Sequence, residues 1–532
     1  MKPIIINPDG TPMQRLPARS AAQAATAYQA ADRFSQELAG WVASMGSPDA
    51  NYLPERDEIV SRVRDIARNS GWASSAIRRE MDNVIGAGFR LSYKPHYRAL
   101  GVDPKWAFDF ANYIEGRFHL YANDPGFYAD ASRHTALGML FGQAYRQYCV
   151  DGDAFAAVRW LPDRGGLYAT ALQVIHSDRV SSPNNLMDQD TIRGGVEIDP
   201  DTGAALAYHI RRRHPWDIPG PGMADAYTWD RHPRETPWGR PMTIHFFDVE
   251  EPGQTRGVSR LAPVLERLKM VDKYDKVELQ AAVLNAIMVA VLESPFDHDL
   301  LQEAMDDSSK LRGYQDARKE FHDQRQIKLG GVRIPTLFPG EKLTFSAAAR
   351  PNPAFNAFET AALRNIAAGT GQSYEQLAGD WSQVNYSSAR AALLEVWKTF
   401  STRRAAFATG FCTPLFGAWL EEEFARGEFD LPRGAPGFHE ARAAWVSCRW
   451  IGPGRGWVDP VKERQGAILG MAAGLSSLEQ EAAEQGLDWQ EVAHQRARER
   501  AFYEELNLPQ PSWADVATMT SGGAAAPAKV EE

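Results

Sequence analysis

The chain has 532 residues, enough for three or four units at roughly 150 residues per domain. Hydrophobic residues at 44% and charged residues at 24% are ordinary for a folded protein and exclude wholesale disorder. The 58 basic and 68 acidic side chains leave a formal charge of -10, which argues against a general nucleic-acid-coating protein but not against DNA passing through a carboxylate-lined hole.

Residues 1–25 and the small-residue tail 521–532 read as loose ends. The first residues, MKPIIINPDG, do not make a signal peptide. A helix is predicted from near Pro54, with Ile59, Val63, Ile66 and Ala67 at helical spacing and Asn69-Ser70-Gly71 as its stop. Further helices are predicted over 73–85, 104–121 and 130–148. Asp151-Gly152-Asp153 reads as a hairpin turn, followed by strands over 171–176, 195–198, 204–211 and 243–248. The Pro- and Trp-rich stretch 215–241 has little periodicity and reads as a long loop, the kind that serves a function or an interaction.

The strongest helix is predicted over 258–292. Leu261, Val264, Leu265, Leu268, Val271 and Tyr274 line one face, and a helix of that length spans roughly 50 Å. It needs a partner along its length, so Leu261, Leu265 and Leu268 are expected at an inter-subunit face. Its apolar part, 281–292, is well short of the roughly 20 residues a bilayer span requires. Asn285 there either fixes register across subunits or faces outward. A charged helix (298–323), a β-like stretch (327–338) and helices over 354–369, 387–409 and 414–426 follow. Ser476-Ser477-Leu478-Glu479 reads as a capping box, and Asp488 with Glu491 opens a last helix to about 506. Residues 476–532 hold 4 basic and 11 acidic side chains, most of the acidic excess.

Chemistry-bearing motifs are scarce. There is no GxxxxGK[ST], HExxH or GxSxG, and Gly452-Pro453-Gly454-Arg455-Gly456 precedes Trp-Val-Asp-Pro rather than a helix, so it reads as a tight turn. Cys149, Cys412 and Cys448 are too few and too far apart for a disulfide framework or a zinc pair, which points to a reducing compartment. Asp151 and Asp153 are a candidate divalent-metal pair, against the favoured reading of a plain turn. Asp178, Asp188, Asp190, Asp199 and Asp201 also fall in turn-like contexts with no His at ligand spacing. Arg211-Arg212-Arg213 reads as a solvated strand end, since neighbouring strand residues point to alternate faces. The residues by themselves give an α+β protein with one very long helix and no catalytic constellation.

Several segments, in order, resemble the lambda family of tailed-bacteriophage portal proteins. They include RDIARNSGWASSAIRREMDNVIGAGFRL, DGDAFAAVRW, LQVIHSDRV, GVEIDPDTGAALAYHI and EPGQTRGVSRLAPVLERLKMVDKYDKVELQAA, in which Gln254, Arg256 and Gly257 stand. The most specific is FETAALRNIAAGTGQSYEQLAGDWSQVNYSSARAALLEVWKTF, centred on Asn385, Tyr386, Ser387, Ser388 and Arg390. GWVDPVKERQGAILGMAAGLSSLEQEAAEQGLDWQEV is similar to the closing region. The resemblance spans about 55–505 and implies a portal fold of wing, long-helix stem, clip and helical crown, closed into a ring of about twelve subunits at one capsid vertex.

Implied partners are the large terminase subunit, the major capsid and scaffolding proteins, head-completion or connector proteins, and double-stranded DNA in the channel, with no membrane. Implied locations are the virion and, during assembly, the host cytoplasm. The terminase supplies ATP hydrolysis, so this chain is expected to be no enzyme, with no catalytic, metal or cofactor site. An acidic wall suits a channel through which DNA slides without sticking. The expected parts are an N-terminal arm and first helix (1–53), a wing/clip α+β region (54–257), the stem helix (258–292), a tunnel-loop and wing helical region (293–413), a crown-like region (414–520) and a disordered tail (521–532). Lys342, Arg350 and Asn352 are candidate tunnel-lining residues. The alternatives are a carboxylate-metal-dependent enzyme built on Asp151 and Asp153, or another phage structural adaptor.

Overall fold

Ser47 opens the first helix by accepting a hydrogen bond from the Ala50 amide, and α1 runs from Pro48 to Asn69. The helix thus begins before Pro54, which lies inside it. The expected stop holds: Ser70 is extended, ends α1 and caps α2 (Gly71–Val84) through the Ala73 amide. The computed structural model describes residues 37–38, 40–217, 220, 222–288, 320, 326–329, 332–335, 355–382, 385–456 and 459–509. The expected helix over 298–323 falls almost wholly outside them.

After α2 come β1 (Arg90–Tyr93), a short α3 (Tyr97–Leu100), α4 (Pro104–Ala122) and α5 (Leu137–Asp151). The expected start of α5 at 130 is too early. Asp130 accepts from the amides of Ser132, His134 and Thr135, which folds those residues onto a side chain instead of a helix.

Two antiparallel sheets follow. One has the order β3-β2-β8, from β2 (Ala154–Trp160), β3 (Thr170–Ile175) and β8 (Thr243–Phe246). The other runs β4-β5-β6-β7, from β4 (Ile192–Arg193), β5 (Val196–Ile198), β6 (Ala205–Arg211) and β7 (Trp229–Pro233). Strand β7 is a correction to the loop reading of 215–241. Among the described residues it is an edge strand, paired with β6 from Arg211↔Trp229 to Ala207↔Pro233, and an edge tolerates the terminal proline.

The long helix begins later than its apolar spacing suggests. Residues 262–264 form a 3₁₀ turn containing Pro263, and α6 runs Leu265–Met288. Strands β9 (Gln326–Leu329) and β10 (Val332–Pro335) pair as an antiparallel hairpin. Helices α7 (Phe355–Thr370), α8 (Tyr374–Ala378) and α9 (Tyr386–Phe407) come next. A π-helical turn, Ala408–Cys412, joins α9 to α10 (Thr413–Arg426). The boundary expected between 413 and 414 therefore falls in one continuous helical path. Short α11 (Arg442–Trp445) leads to β11 (Cys448–Ile451), which pairs with β1 from the far end of the sequence. The C-terminal helices are α12 (Pro460–Ala472), α13 (Leu478–Glu484) and α14 (Trp489–Glu505). The capping box of α13 is Ser477 with Gln480, one residue beyond the Ser476/Glu479 pair expected.

Three apolar cores organise the described residues. The largest gathers α4, α5, α9, the π turn and α10 around Phe118, Tyr145, Phe407, Phe416 and Trp419. The second packs α1, α2, the start of α6, α7 and α8 around Val63, Leu268 and Ile366. The third lies between the two sheets, around Phe155, Ile175, Val196 and Tyr208. Strand β2 feeds two of them by simple alternation: Ala154, Ala156 and Val158 face the first core, Phe155 and Ala157 the third.

The C-terminal helices meet the body along β1 and β11, where Lys94 pairs with Glu479 and Arg90 with Glu491. Beneath them Glu115 of α4 accepts from the Tyr93 amide at 2.5 Å. Burial, reinforced by Asp488 and Glu491, pushes its pKa up to about 7. An acid whose folded pKa exceeds its unfolded value loses stability as pH rises from the unfolded pKa through the folded one. Glu115 therefore weakens the fold between roughly pH 4.5 and 7, by on the order of 2 kcal/mol. Glu115→Gln keeps the acceptor for Tyr93 and has no charge to bury. Thermal melts should place the variant several degrees above the parent at pH 8 and level with it near pH 4.5. Equal melting at both pH values would show that Glu115 ionises freely.

Candidate functional site: a buried arginine–carboxylate junction

Asp151 and Asp153 do not make a hairpin. Asp151 is the last residue of α5, Gly152 caps that helix with φ of +86°, and β2 begins at Ala154. Asp-Gly serves here as a helix C-terminus, where a left-handed glycine is the usual terminator. The reversal is crowded as well. A Cβ on Gly152 would stand 2.3 Å from the Gly257 carbonyl oxygen, and one on Gly257 would stand 2.1 Å from that of Gly152. Both positions need glycine because two backbones touch.

This contact sets Asp153 against the segment 254–257. Asp153 is fully buried, and each of its oxygens has two partners. Oδ2 accepts from Arg256 Nε at 2.7 Å and from an Arg56 Nη at 3.4 Å. Oδ1 accepts from the Gly257 amide at 2.7 Å and lies 3.0 Å from His245 Nε2. Arg256, 1% exposed, spends its other donors on the Gly194 and Val180 carbonyls at 2.6 and 3.1 Å and lies over the Phe155 ring. Gln254 braces the loop, donating to the Arg256 carbonyl and accepting from the Glu250 amide.

Asp151 lies beside this group. Arg64 grips it with two bonds, Nε to Oδ1 at 2.8 Å and Nη2 to Oδ2 at 2.7 Å, and Ser177 Oγ donates to Oδ2. The same guanidinium reaches both oxygens of Asp178. At the start of α1, Asp49 accepts from the amide and hydroxyl of Thr255 and pairs with Arg193. One helix, one helix-to-strand turn, two sheets and one loop are thus joined by ionic hydrogen bonds, which are stronger than neutral ones.

Burial alone would raise the pKa of Asp153, but the Arg256 charge, His245 and Arg56 outweigh it and hold the carboxyl far below its usual range. Asp178 is held down to about 2, with Arg64 overriding its burial. Burial lowers His245, so its ring is neutral and donates to Asp153. Both readings of Asp151 and Asp153 from sequence are therefore corrected. They form neither a solvated turn nor a metal pair, because guanidinium, amide and hydroxyl donors already fill their oxygens. The arrangement is a clamp, in which Asp151 and Asp153 are shut away from water at 4% and 0% exposure.

The other residues singled out in the sequence scatter. Leu261 and Leu268 are buried in the second core of the chain's own fold, beside Val63 and Ile366, and Leu265 packs at its edge. The apolar spacing that suggested an inter-subunit face is used inside the subunit, against α1 and α7. Lys342, Arg350 and Asn352 lie outside the described residues, as do the side chains of Asn285, Tyr386, Ser387 and Ser388. The Asn385 carbonyl accepts from the Ala389 amide at the start of α9. Arg390 lines a small hollow with Trp397 and Arg455, far along the chain from the clamp. The arginines at 211–213 part company: Arg211 is buried and bonds Ser181 and Asn185, Arg212 chelates Asp230, and Arg213 pairs with Asp217.

Sequence reasoning missed Arg56, Arg64 and His245. One signal was present. Arg56 shares a helical face with Val60, Val63 and Ala67, which are all buried, and an arginine on an apolar stripe implies a buried carboxylate partner.

Among known proteins, the chain is 36% identical over 525 residues to the portal protein of Escherichia phage N15, covering 97% of this chain and 96% of that protein. It is 34% identical over 525 residues to portal protein B of Escherichia phage lambda, covering 97% and 95%. A probable portal protein of Halomonas phage phiHAP-1 is 26% identical over 486 residues, covering 88% and 86%. A chain from the neck of an empty gene transfer agent particle aligns with a TM-score of 0.41 at 13% identity, covering 80% of this chain and 93% of that one. The sequence model of the family described as phage portal protein, lambda family, matches residues 34–404. With that match, and relatives above 30% identity along nearly its whole length, the chain belongs to the lambda family of phage portal proteins.

Proposed function

We propose that the chain closes into a ring of about twelve copies at one capsid vertex, forming the channel through which terminase packages double-stranded DNA and through which the DNA later leaves. Full-length similarity to two portal proteins carries this reading. The protein resides in the virion, assembles in the host cytoplasm, and meets the large terminase subunit, capsid and scaffolding proteins, and head-completion proteins. It performs no chemistry itself. The clamp supports that view, since it ties up the carboxylates on which an enzyme reading would depend. Residues just before α7, with Lys342, Arg350 and Asn352, are assigned to the tunnel wall.

Helix α6 remains the stem in this reading, but its inter-subunit face is reassigned. Met270 and Val277 are 62% and 47% exposed. They are seven residues apart on the side opposite Leu268 and Val271, since seven residues make nearly two full turns. An exposed apolar pair on a long helix suits a neighbouring copy in a closed ring.

Purified full-length protein should show rings of about twelve subunits with a central hole in negative-stain images, and no nucleotide hydrolysis. A monodisperse monomer with metal-dependent turnover, or ATPase activity that a point mutation in this chain abolishes, would sink the proposal.

A further inference from the structure

Beyond the clamp, two histidines distant in sequence converge on one carboxylate. His176 follows the last residue of β3 and caps the 3₁₀ turn that holds Asp178, and His214 lies in the loop after β6. His214 Nε2 is 3.3 Å from Asp178 Oδ2, and His176 Nδ1 is 3.7 Å from the same oxygen. One ligand atom from each residue fits within a 4.8 Å span. The two imidazole rings stand edge to face with centroids 4.9 Å apart.

The two carboxylate–imidazole spacings are close to those a metal imposes on its ligands. Ligand atoms about 2.0–2.1 Å from a tetrahedral Zn²⁺ are roughly 3.4 Å apart. Two imidazoles and one carboxylate select zinc-class cations over Ca²⁺ or Mg²⁺, which prefer all-oxygen shells. The three side chains are 47%, 24% and 31% exposed, so a solvated ion reaches them and water can complete the fourth position.

We propose that His176, Asp178 and His214 form a three-ligand site for a zinc-class divalent cation, fastening the turn after β3 to the loop after β6. The charges facing the site permit it. Arg64 is the nearest cation, and Asp151 compensates it through two hydrogen bonds that do not involve Asp178. Arg64 Nη2 holds Asp178 Oδ1 at 2.9 Å and Nη1 also bonds Oδ2, the oxygen that faces the imidazoles, so metal capture requires Nη1 to yield Oδ2 while the guanidinium stays anchored on Asp151. Capture through His214 Nε2 moves the ring proton to Nδ1 and gives up the Trp216 amide contact at 3.2 Å. That contact, the Asp178 amide bond to His176 Nδ1 at 3.4 Å and the Arg64 bond to Asp178 Oδ2 are all given up, which sets the affinity below that of a closed four-ligand structural site. The sequence hides the arrangement because His214 is 36 residues from Asp178.

The test uses untagged full-length protein stripped with chelator and dialysed against Zn²⁺. The parent should retain one more zinc per chain than His176→Ala/His214→Ala, with affinity differing by about tenfold or more. Zinc should raise the melting temperature of the parent and leave that of the double variant unchanged. Both histidines are partly exposed, so their removal opens no core. In the parent alone, Co²⁺ should give the intense visible absorption of a four-coordinate centre. Equal zinc in the two proteins, or only the weak absorption of six-coordinate Co²⁺, overturns the site. Ring formation is scored separately by imaging, so failure of the metal site is distinguishable from failure of the portal reading.

Discussion

Asp153→Ala should be among the most damaging single substitutions in this chain. It leaves the guanidinium groups of Arg56 and Arg256, whose side chains are 5% and 1% exposed, without the carboxylate between them. Removing one partner of a buried ion pair costs about 3–5 kcal/mol. The Gly257 amide loses its acceptor as well, a further 1–3 kcal/mol or so. Little full-length protein should remain soluble, and what does should melt far below the parent.

Asp153→Asn is expected to fall between the two, since an amide oxygen still accepts from Gly257 but cannot neutralise arginine. Asp151→Asn should be milder, because Arg64 keeps Asp178. A depressed carboxylate contributes stability that is present above its unfolded pKa and lost as pH falls through the folded one. The clamp therefore stays intact at pH 5 and fails only below about pH 4, outside the window in which Glu115 acts. Parent-like melting of Asp153→Ala would show that the two arginines need no counter-charge.

The clamp also shows what the sequence could and could not reveal. Elements whose pattern is local were legible: the Asn69-Ser70 stop, the helices at 104–122 and 355–370, and the strands at 170–175 and 205–211 all declare themselves by periodicity or turn chemistry. Asp151-Gly152-Asp153 misled because Asp-Gly suits a hairpin turn and a helix C-terminus equally, and only the partner 103 residues away at Arg256 decides between them. Strand β1 was invisible because its partner β11 is more than 350 residues distant. The first part of the long helix misled in another way. Leu261 and Val264 keep helical spacing, but Arg256 and Ser259 are pinned by side-chain bonds to the body, and that keeps the chain out of a helix until the 3₁₀ turn. The resemblance to portal proteins was available because Arg256 and Gly257 stand in one of its segments, although their physical role was not.

The position of Leu268 separates packing within the subunit from packing between subunits. Leu268 is fully buried among Val63, Ile366 and Leu377 of the same chain. Leu268→Asp would bury a carboxylate with no partner, and the group would either ionise at a cost of several kcal/mol or remain protonated and leave its hydroxyl unbonded. The second core should break within the subunit, so helical circular dichroism and ring assembly should fall together. Val277 faces away from that core. Val277→Asp places its charge in water in the free subunit and should leave circular dichroism and melting of the monomer unchanged. In a ring, the same carboxylate would meet the neighbouring α6, and desolvating it opposes each contact around the circle. Size-exclusion light scattering should therefore find folded Val277→Asp subunits without rings. If Val277→Asp assembles normally while Leu268→Asp yields folded monomers, the inner and outer faces of α6 are assigned the wrong way round.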